Sequence, residues 1–332
     1  MTDQGHCIAC GAPAAESVAL AAADWQIKRC RHCGLGRTVN RATVPPQEKD
    51  LYGEAYFNGS GASEHDFSAD FMRQQDRVRF TAELDEIEKR TGKGKILDIG
   101  CATGEFLFHA RQRGWRVYGY DVSSYAIKQV TERIEGAVVA TGELGVDTFP
   151  DESFDVITLH HVLEHVDAPH QLIQTSILPL LKKNGLMLVE VPNLDSLEAR
   201  VTGAEWEDLR PEQHKWHFTP GSLRMLCTKQ GMSLELLHTL HSPLWRTRML
   251  TDHLWMTASL LLRCPYRGTV GRKAMAGHID HEALWRNHQD TRSRGQLSLL
   301  SRHIGRPLMY YLYRAMLGKR LVLIGRRQGG RP

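Results

Sequence analysis

Apolar positions in this chain fall into short runs separated by stretches of helical spacing. Ile96, Leu97 and Ile99 form one run, with Asp98 near its end. The run breaks into Gly100-Cys101-Ala102-Thr103-Gly104 and resumes as Glu105-Phe106-Leu107-Phe108-His109-Ala110. This predicts a strand, a tight glycine turn and a helix N-terminus, where the backbone can approach a ligand and free N–H groups are on offer. Arg116–Asp121 reads as a second strand ending in an acid, Asp155–His160 as a fourth, and the run ending in Val191-Pro192-Asn193 as a fifth. Thr219 as N-cap, Pro220 at the first helical position and Gly231 past the end predict a helix. A sixth strand follows over Met232–His238, and Arg320–Gly325 reads as the last. About 80 residues rich in Leu, Met, Trp, Tyr and Arg lie between those two strands and read as a helical insertion. Strands alternating with helices argue for a parallel α/β sheet.

The glycine turn carries the chemistry. A dinucleotide site asks for G-x-G-x-x-G at a helix start that meets a pyrophosphate. Here the order is Gly100-x-Ala102-x-Gly104, with Asp98 two residues earlier. An acid at that point repels a pyrophosphate and suits a cofactor with a cationic amino group. The stretch resembles motif I of the class I S-adenosylmethionine (SAM) methyltransferases, D/E-x-G-x-G-x-G, with Ala102 in place of the middle glycine. Asp121 lies 17 residues past Gly104, where a Rossmann-like sheet places the acid that binds ribose hydroxyls. Gly142-Glu143, then Thr148-Phe-Pro-Asp-Glu-Ser-Phe-Asp155, resembles the family's GD…LPFPDxSFD stretch, with Glu143 where aspartate is usual. The resemblance implies SAM held by Asp98, Gly100, Cys101, Ala102, Gly104, Asp121, Val122, Glu143, Leu144 and His160.

Cys7-x-x-Cys10 and Cys30-x-x-Cys33 are separated by 19 residues. Two such knuckles match a four-thiolate zinc site, closed and therefore structural. With Leu51-Tyr52-Gly-Glu-Ala-Tyr56-Phe57 and motif I, the pattern resembles a bacterial methyltransferase subfamily with an N-terminal zinc ribbon, whose members act in surface-polysaccharide and sugar modification. Tyr52, Tyr56 and Phe57 are expected either to close over SAM or to seam the ribbon to the core. The implied fold is α/β: a Rossmann-like class I methyltransferase sheet with an N-terminal zinc ribbon and a helical insertion before the last strand. The implied division is a zinc ribbon over 1–45, linker and lid helices over 46–92, a SAM-binding core over 93–240, a basic helical insertion over 241–318, and the last strand with a basic tail over 319–332.

His160-His161-Val162-Leu163-Glu164-His165 follows the fourth strand. In a helical turn, His161, Glu164 and His165 would share one face through i, i+3, i+4 spacing. Arg210-Pro-Glu-Gln-His214-Lys-Trp-His217 follows the fifth strand. Ubiquinone-pathway O-methyltransferases and small-RNA 2′-O-methyltransferases share this layout, with an E-x-x-E-H turn that coordinates a divalent cation. The resemblance implies a second metal site of His161, Glu164, His165 and His214, with His161 replacing the first glutamate. The other reading is a general base without metal, drawn from His161, His165, His214 and His217, because an imidazole titrates near neutral pH.

Charge sharpens the choice of partner. The chain carries 42 Lys+Arg and 38 Asp+Glu, but residues 241–332 hold 17 basic and 4 acidic side chains. A basic segment beside an acidic body points to an anionic partner. The expected acceptor is a sugar, sugar-nucleotide or lipid-linked glycan, methylated at a hydroxyl or carbon, with residues 241–332 meeting an anionic membrane surface or capping the cleft. An RNA methyltransferase and a non-catalytic SAM-binding protein are the alternatives, and nucleic acid is disfavoured because no aromatic-and-basic stacking motif is present. Asp98 argues against an NAD enzyme. With no signal-like segment and no apolar run near the ~20 residues of a bilayer span, the expected location is the cytoplasm, at most peripheral to the membrane's inner face.

Overall fold

The computed structural model describes residues 5–22, 24–39, 53–57, 70–142, 144, 148–240 and 319–329. The 241–318 insertion and Glu143 lie outside them, as does Tyr52. The ribbon segment forms β1 (Glu16–Ala21), β2 (Gln26–Cys30) and β3 (Gly36–Val39), and a short helix, α1 (Glu54–Phe57), and a long one, α2 (Asp70–Glu88), follow. The core then alternates: β4 (Lys95–Ile99), α3 (Glu105–Gln112), β5 (Arg116–Tyr120), α4 (Ser124–Arg133), β6 (Val138–Ala140) and β7 (Phe154–His160). After a helix running through Pro169–Gln171, Leu172–Ile177 and Leu178–Leu180 come β8 (Leu181–Pro192), α5 (Leu197–Thr202), β9 (Trp216–His217), α6 (Pro220–Lys229), β10 (Met232–Leu240) and β11 (Arg320–Arg327).

Seven strands form one sheet in the order β10-β11-β8-β7-β4-β5-β6. From β8 to β6 every pairing is parallel, and β11 enters antiparallel between β8 and β10. Helices cover both faces, so the central strands read as nearly unbroken apolar runs.

Side chains alternate across a strand, and two apolar layers follow directly. Leu97, Ile157, Leu159, Met187, Val189, Leu321 and Leu323 point to one face, packed with Ile173, Ile177, Leu223 and Leu226. Ile96, Val156, Leu186, Leu188, Val322 and Ile324 point to the other, against Phe80, Leu84 and Ile87 of α2 and Phe106, Leu107 and Ala110 of α3. Asp98, Thr158, His160, Glu190 and Arg320 are even-numbered too, so they share the second face. The ladder sets Asp98 beside Thr158 and His160 beside Glu190. The carboxyl ends of the central strands therefore carry a row of polar groups under α2.

The ribbon strands form a second sheet that a strand from the core segment completes. Its order is β1-β2-β3-β9, so the fourth strand is Trp216–His217, contributed from the chain beyond β8. Gly36 pairs with His217 and Arg37 with Trp216. Arg29 meets Asp195 at 2.8 Å, and Thr219 Oγ1 donates to the Cys33 carbonyl at 3.2 Å. The α6 helix begins as its sequence suggests: Thr219 caps it, with a reciprocal bond to Ser222 and Pro220 in the first turn.

Candidate active site

The loop between β4 and α3 is held to β5 by backbone bonds: the N–H groups of Gly100 and Cys101 donate to the Tyr120 carbonyl at 2.7 and 3.1 Å. Gly100 has φ 73°, and a Cβ there would lie 2.5 Å from Val162 Cγ2. Gly104 has φ 81°, with no side-chain cap on α3. Ala102 takes φ 47°, a left-handed conformation costing roughly 1–2 kcal/mol for a residue with a Cβ. His161 at φ 56° and Arg210 at φ 38° share that strain, so three of the five non-glycine residues with positive φ among the described residues flank this site.

Asp121 is 8% exposed. Its Oδ2 accepts from Ala102 N at 2.9 Å and its Oδ1 from Ser123 N at 2.9 Å. Burial raises its pKa, partly offset by these two bonds. Each oxygen keeps an acceptor position, which fits two ribose hydroxyls. Val122 beside it is exposed and Leu144 half-buried, an apolar pairing suited to a purine face. A Gly100→Ala exchange should therefore weaken SAM binding by at least about tenfold in calorimetry, since the left-handed backbone and Val162 both oppose the methyl group. Unchanged affinity would remove the loop from the cofactor site.

Asp98 is 2% exposed. Its Oδ1 accepts from the Thr158 hydroxyl at 2.7 Å and from His160 Nδ1 at 3.2 Å. His160 Nε2 meets Glu83 Oε2 at 2.8 Å, and its ring packs against Phe80 and Phe106. Burial alone would lower the His160 pKa, but Glu83 and Asp98 outweigh it and raise it to about 10. His160 is thus an imidazolium under α2, bridging Asp98 and Glu83.

The histidine edge is a turn, not a helix. Left-handed His161 redirects it, and both ring nitrogens are taken: Nδ1 meets Glu164 Oε1 at 2.9 Å and Nε2 meets Glu190 Oε1 at 3.1 Å. Burial opposes the charged ring, yet these two carboxylates raise its pKa. Both ring nitrogens of His161 are thus engaged by carboxylates. Glu190 is fully buried and also receives Arg79 at 2.8 Å and Arg320 at 2.9 Å. For Glu164, burial would raise the pKa, but the His161 bond and the surrounding imidazoles pull it to about 2.

Glu164, His165 and His214 come together, each with a ligand atom within 4.8 Å of the others. Among the described residues, Glu164 Oε2 and His165 Nδ1 are buried with no hydrogen-bond partner. His214 Nδ1 donates to the Asp208 carbonyl at 2.9 Å, which leaves its Nε2 a lone pair. Burial lowers the pKa of His165, and takes those of His214 and His217 to about 3, so these rings stay neutral at pH 7. Two neutral imidazoles and one carboxylate with unfilled positions suit a divalent transition metal. His161 is not part of this trio and instead fixes the Glu164 carboxylate. Tyr56, its pKa raised by burial, feels the charges of Arg210, Asp121 and Glu164 and so marks where the two halves of the site meet.

His217 gives a pH signature. Its folded pKa of about 3 lies below the ~6.5 of an unfolded histidine, so the unfolded chain takes up a proton first as pH falls. Urea-unfolding free energy should therefore fall as pH drops from about 6.5 towards 3, and His217→Asn should flatten that limb. The His160 contribution runs the other way, lost as pH rises through about 10.

The four ribbon sulfurs also lie within 4.8 Å of one another. Cys7–Cys33 is 3.6 Å and Cys10–Cys30 is 3.9 Å. A tetrahedral zinc with bonds near 2.3 Å needs sulfurs about 3.8 Å apart, and a disulfide needs about 2 Å. The spacing fits zinc.

Sequence reading missed Glu190, Glu83, Arg79, Arg320 and Thr38. Glu190 had a signal: a charge inside Leu186-Met-Leu-Val-Glu-Val191 must be buried and therefore paired. Glu83 had none, sitting in a helix already rich in acids.

A family model described as "Methyltransferase domain" matches residues 72–237. A ubiquinone biosynthesis O-methyltransferase of Glaesserella parasuis is 33% identical over 108 residues, covering 30% of this chain and 45% of that protein. Its counterpart from Leptothrix cholodnii is 26% identical over 192 residues, covering 53% and 78%. The chain thus spans about half the length of the first of these relatives. A SAM-dependent methyltransferase from Archaeoglobus fulgidus superposes with TM-score 0.45 at 18% identity, over 76% of this chain and 94% of that one.

Proposed function

This chain belongs to the class I SAM-dependent methyltransferases, and we propose that it methylates an oxygen of a small-molecule acceptor seated beside Glu164, His165 and His214. The observation that carries this is the pair of buried, unpartnered ligand atoms, Glu164 Oε2 and His165 Nδ1, next to the lone pair of His214. On this reading SAM lies over the Gly100–Gly104 loop, its ribose on Asp121, its adenine by Val122 and Leu144, and its ammonium towards Asp98. The transfer is an in-line displacement: the acceptor oxygen bonds the methyl carbon as the S–CH₃ bond breaks, and the hydroxyl proton departs. A divalent cation held by Glu164, His165 and His214 would lower the pKa of that hydroxyl. His161 orients Glu164, and Tyr56 with Phe57 closes the space between donor and acceptor. Phe57 stacks on Tyr125 at 5.8 Å, which anchors that closure to α4.

A second reading, favoured by the free His165 Nδ1, is that His165 takes the proton itself without a cation. EDTA treatment separates the two: activity that needs Mn²⁺ or Zn²⁺ restored supports the cation, and indifference supports the base. The acceptor class follows the ribbon-bearing subfamily, a sugar, sugar-nucleotide or lipid-linked glycan, and the O-methyltransferase relatives favour oxygen over carbon. The ribbon carries a structural zinc. The basic charge of residues 241–318 would attract an anionic acceptor or anionic lipid, and no helix among the described residues is long and apolar enough to cross a membrane. Tritiated methyl-SAM offered with nucleotide sugars, catechols and RNA tests the proposal. Label should enter a small hydroxylated acceptor, and label in RNA alone would overturn it.

A further inference from the structure

We propose that Thr38, a residue of the ribbon, is a positioning residue for the histidine site: its hydroxyl sets the tautomer of His217 and pins the backbone that carries His214. The proposal rests on the reading of that cluster as the acceptor site.

The geometry assigns every proton in this contact. Thr38 Oγ1 lies 2.7 Å from the His214 carbonyl and 2.9 Å from His217 Nε2. A carbonyl can only accept, and a hydroxyl has one proton, so that proton goes to His214 O. The hydroxyl oxygen is then the acceptor for His217, whose Nε2 must carry a hydrogen. His217, buried and neutral, is therefore the Nε2–H tautomer, with its lone pair on Nδ1. The main chain repeats the contact, since Thr38 N donates to the Lys215 carbonyl at 3.0 Å.

The same segment is fixed from the core side. Lys215 N and Trp216 N both donate to the Glu164 carbonyl, at 2.8 and 3.1 Å, and His214 Nδ1 is held by Asp208 O. His165 and His214 stack edge to face with centroids 4.7 Å apart, and His214 and His217 lie 6.3 Å apart. Residues 214–217 are thus clamped between the Glu164 turn and β3. The β3 side comes from the ribbon, and among the described residues Thr38 alone contributes a side-chain hydroxyl to both histidines. Trp216 meanwhile lines a small hollow with Cys7, Cys30 and Leu35, so the strand bearing His217 rests directly on the cysteine knuckles. On this assignment the ribbon builds one wall of the acceptor site.

Thr38→Val keeps the shape and removes the hydroxyl, and Thr38→Ser keeps the hydroxyl. Long-range ¹H–¹⁵N spectra of histidine-labelled protein read the tautomer without any acceptor. Wild type and Thr38→Ser should show His217 as a single Nε2–H form, and Thr38→Val should shift both ring nitrogens towards a tautomer mixture. Mn²⁺ affinity, measured on the full chain with the ribbon zinc left in place, should fall about five- to tenfold in Thr38→Val, the equivalent of one hydrogen bond, and recover in Thr38→Ser. SAM affinity should stay within about twofold in both, consistent with an effect local to the histidines. An unchanged His217 tautomer in a folded, SAM-binding Thr38→Val protein overturns the proposal. Equal Mn²⁺ losses in the serine and valine variants would do the same. If His214→Gln leaves Mn²⁺ binding intact, it is the acceptor-site reading that fails.

Discussion

Glu164→Gln should lower methyl transfer by about a hundredfold while leaving SAM affinity within about threefold, the range seen when a metal site's ligand or supporting carboxylate is lost. The carboxylate is 1% exposed and is held ionised chiefly by its bond to His161, with a pKa of about 2. Glutamine preserves volume but removes the charge. One oxygen remains for His161, and the other position becomes an amide NH₂, which cannot ligate through nitrogen and points a donor where a cation would sit. His161 also loses one of its two carboxylate partners, so a smaller stability loss, of about 1–3 kcal/mol, accompanies the kinetic one. Calorimetry with SAM, Mn²⁺ titration and initial rates with the acceptor separate the three effects. A variant that turns over within threefold of wild type would show that Glu164 only supports the fold.

Cys30→Ser should release the ribbon zinc and lower thermal stability sharply. Structural zinc contributes about 10–16 kcal/mol of apparent binding free energy in small metal-dependent domains, far above the single hydrogen bonds that hold β3 to β9. The ribbon's own apolar content is slight, mainly Ile8, Ala9, Ile27 and Leu35, so without metal its three strands have little to fold around. Because Trp216–His217 completes that sheet, the damage should reach the acceptor site while SAM binding survives. Elemental analysis should find one zinc fewer per chain in the variant than in wild type, with a lower melting temperature. A wild-type chain that holds no zinc, or a variant that melts at the wild-type temperature, rules this out.

What could be read beforehand divides by range. The Gly100–Gly104 turn, Asp121 at the end of its strand and the Thr219–Pro220 helix start each depend on a few adjacent residues whose backbone preferences act locally. The histidine edge depends on distant neighbours. The i, i+3, i+4 spacing of His161, Glu164 and His165 suggested one helical face, but His161 turned left-handed once Glu190 and Glu164 offered it two acceptors. His160 was expected at the cofactor from its strand position, and its bond to Glu83 of α2 could not be read from that position. A strand of two residues, Trp216–His217, has no periodicity to detect, and its partner lies about 180 residues earlier. Thr38 was invisible for the same reason: nothing in its surroundings hints at a bond to His214 or His217.

The place of β11 bears on how the chain can be made. It runs between β8 and β10 and pairs with both along its length, yet every other strand of the sheet precedes it in the chain. A ribosome therefore finishes β8 and β10 while the slot between them is still empty, each presenting an open edge of the kind that recruits foreign strands. Glu190 is in the same position: its Arg79 and His161 partners are already synthesised, but Arg320 is not. The segment from residue 241 to 318 thus acts as a delay, separating the making of the slot from the arrival of the strand that fills it.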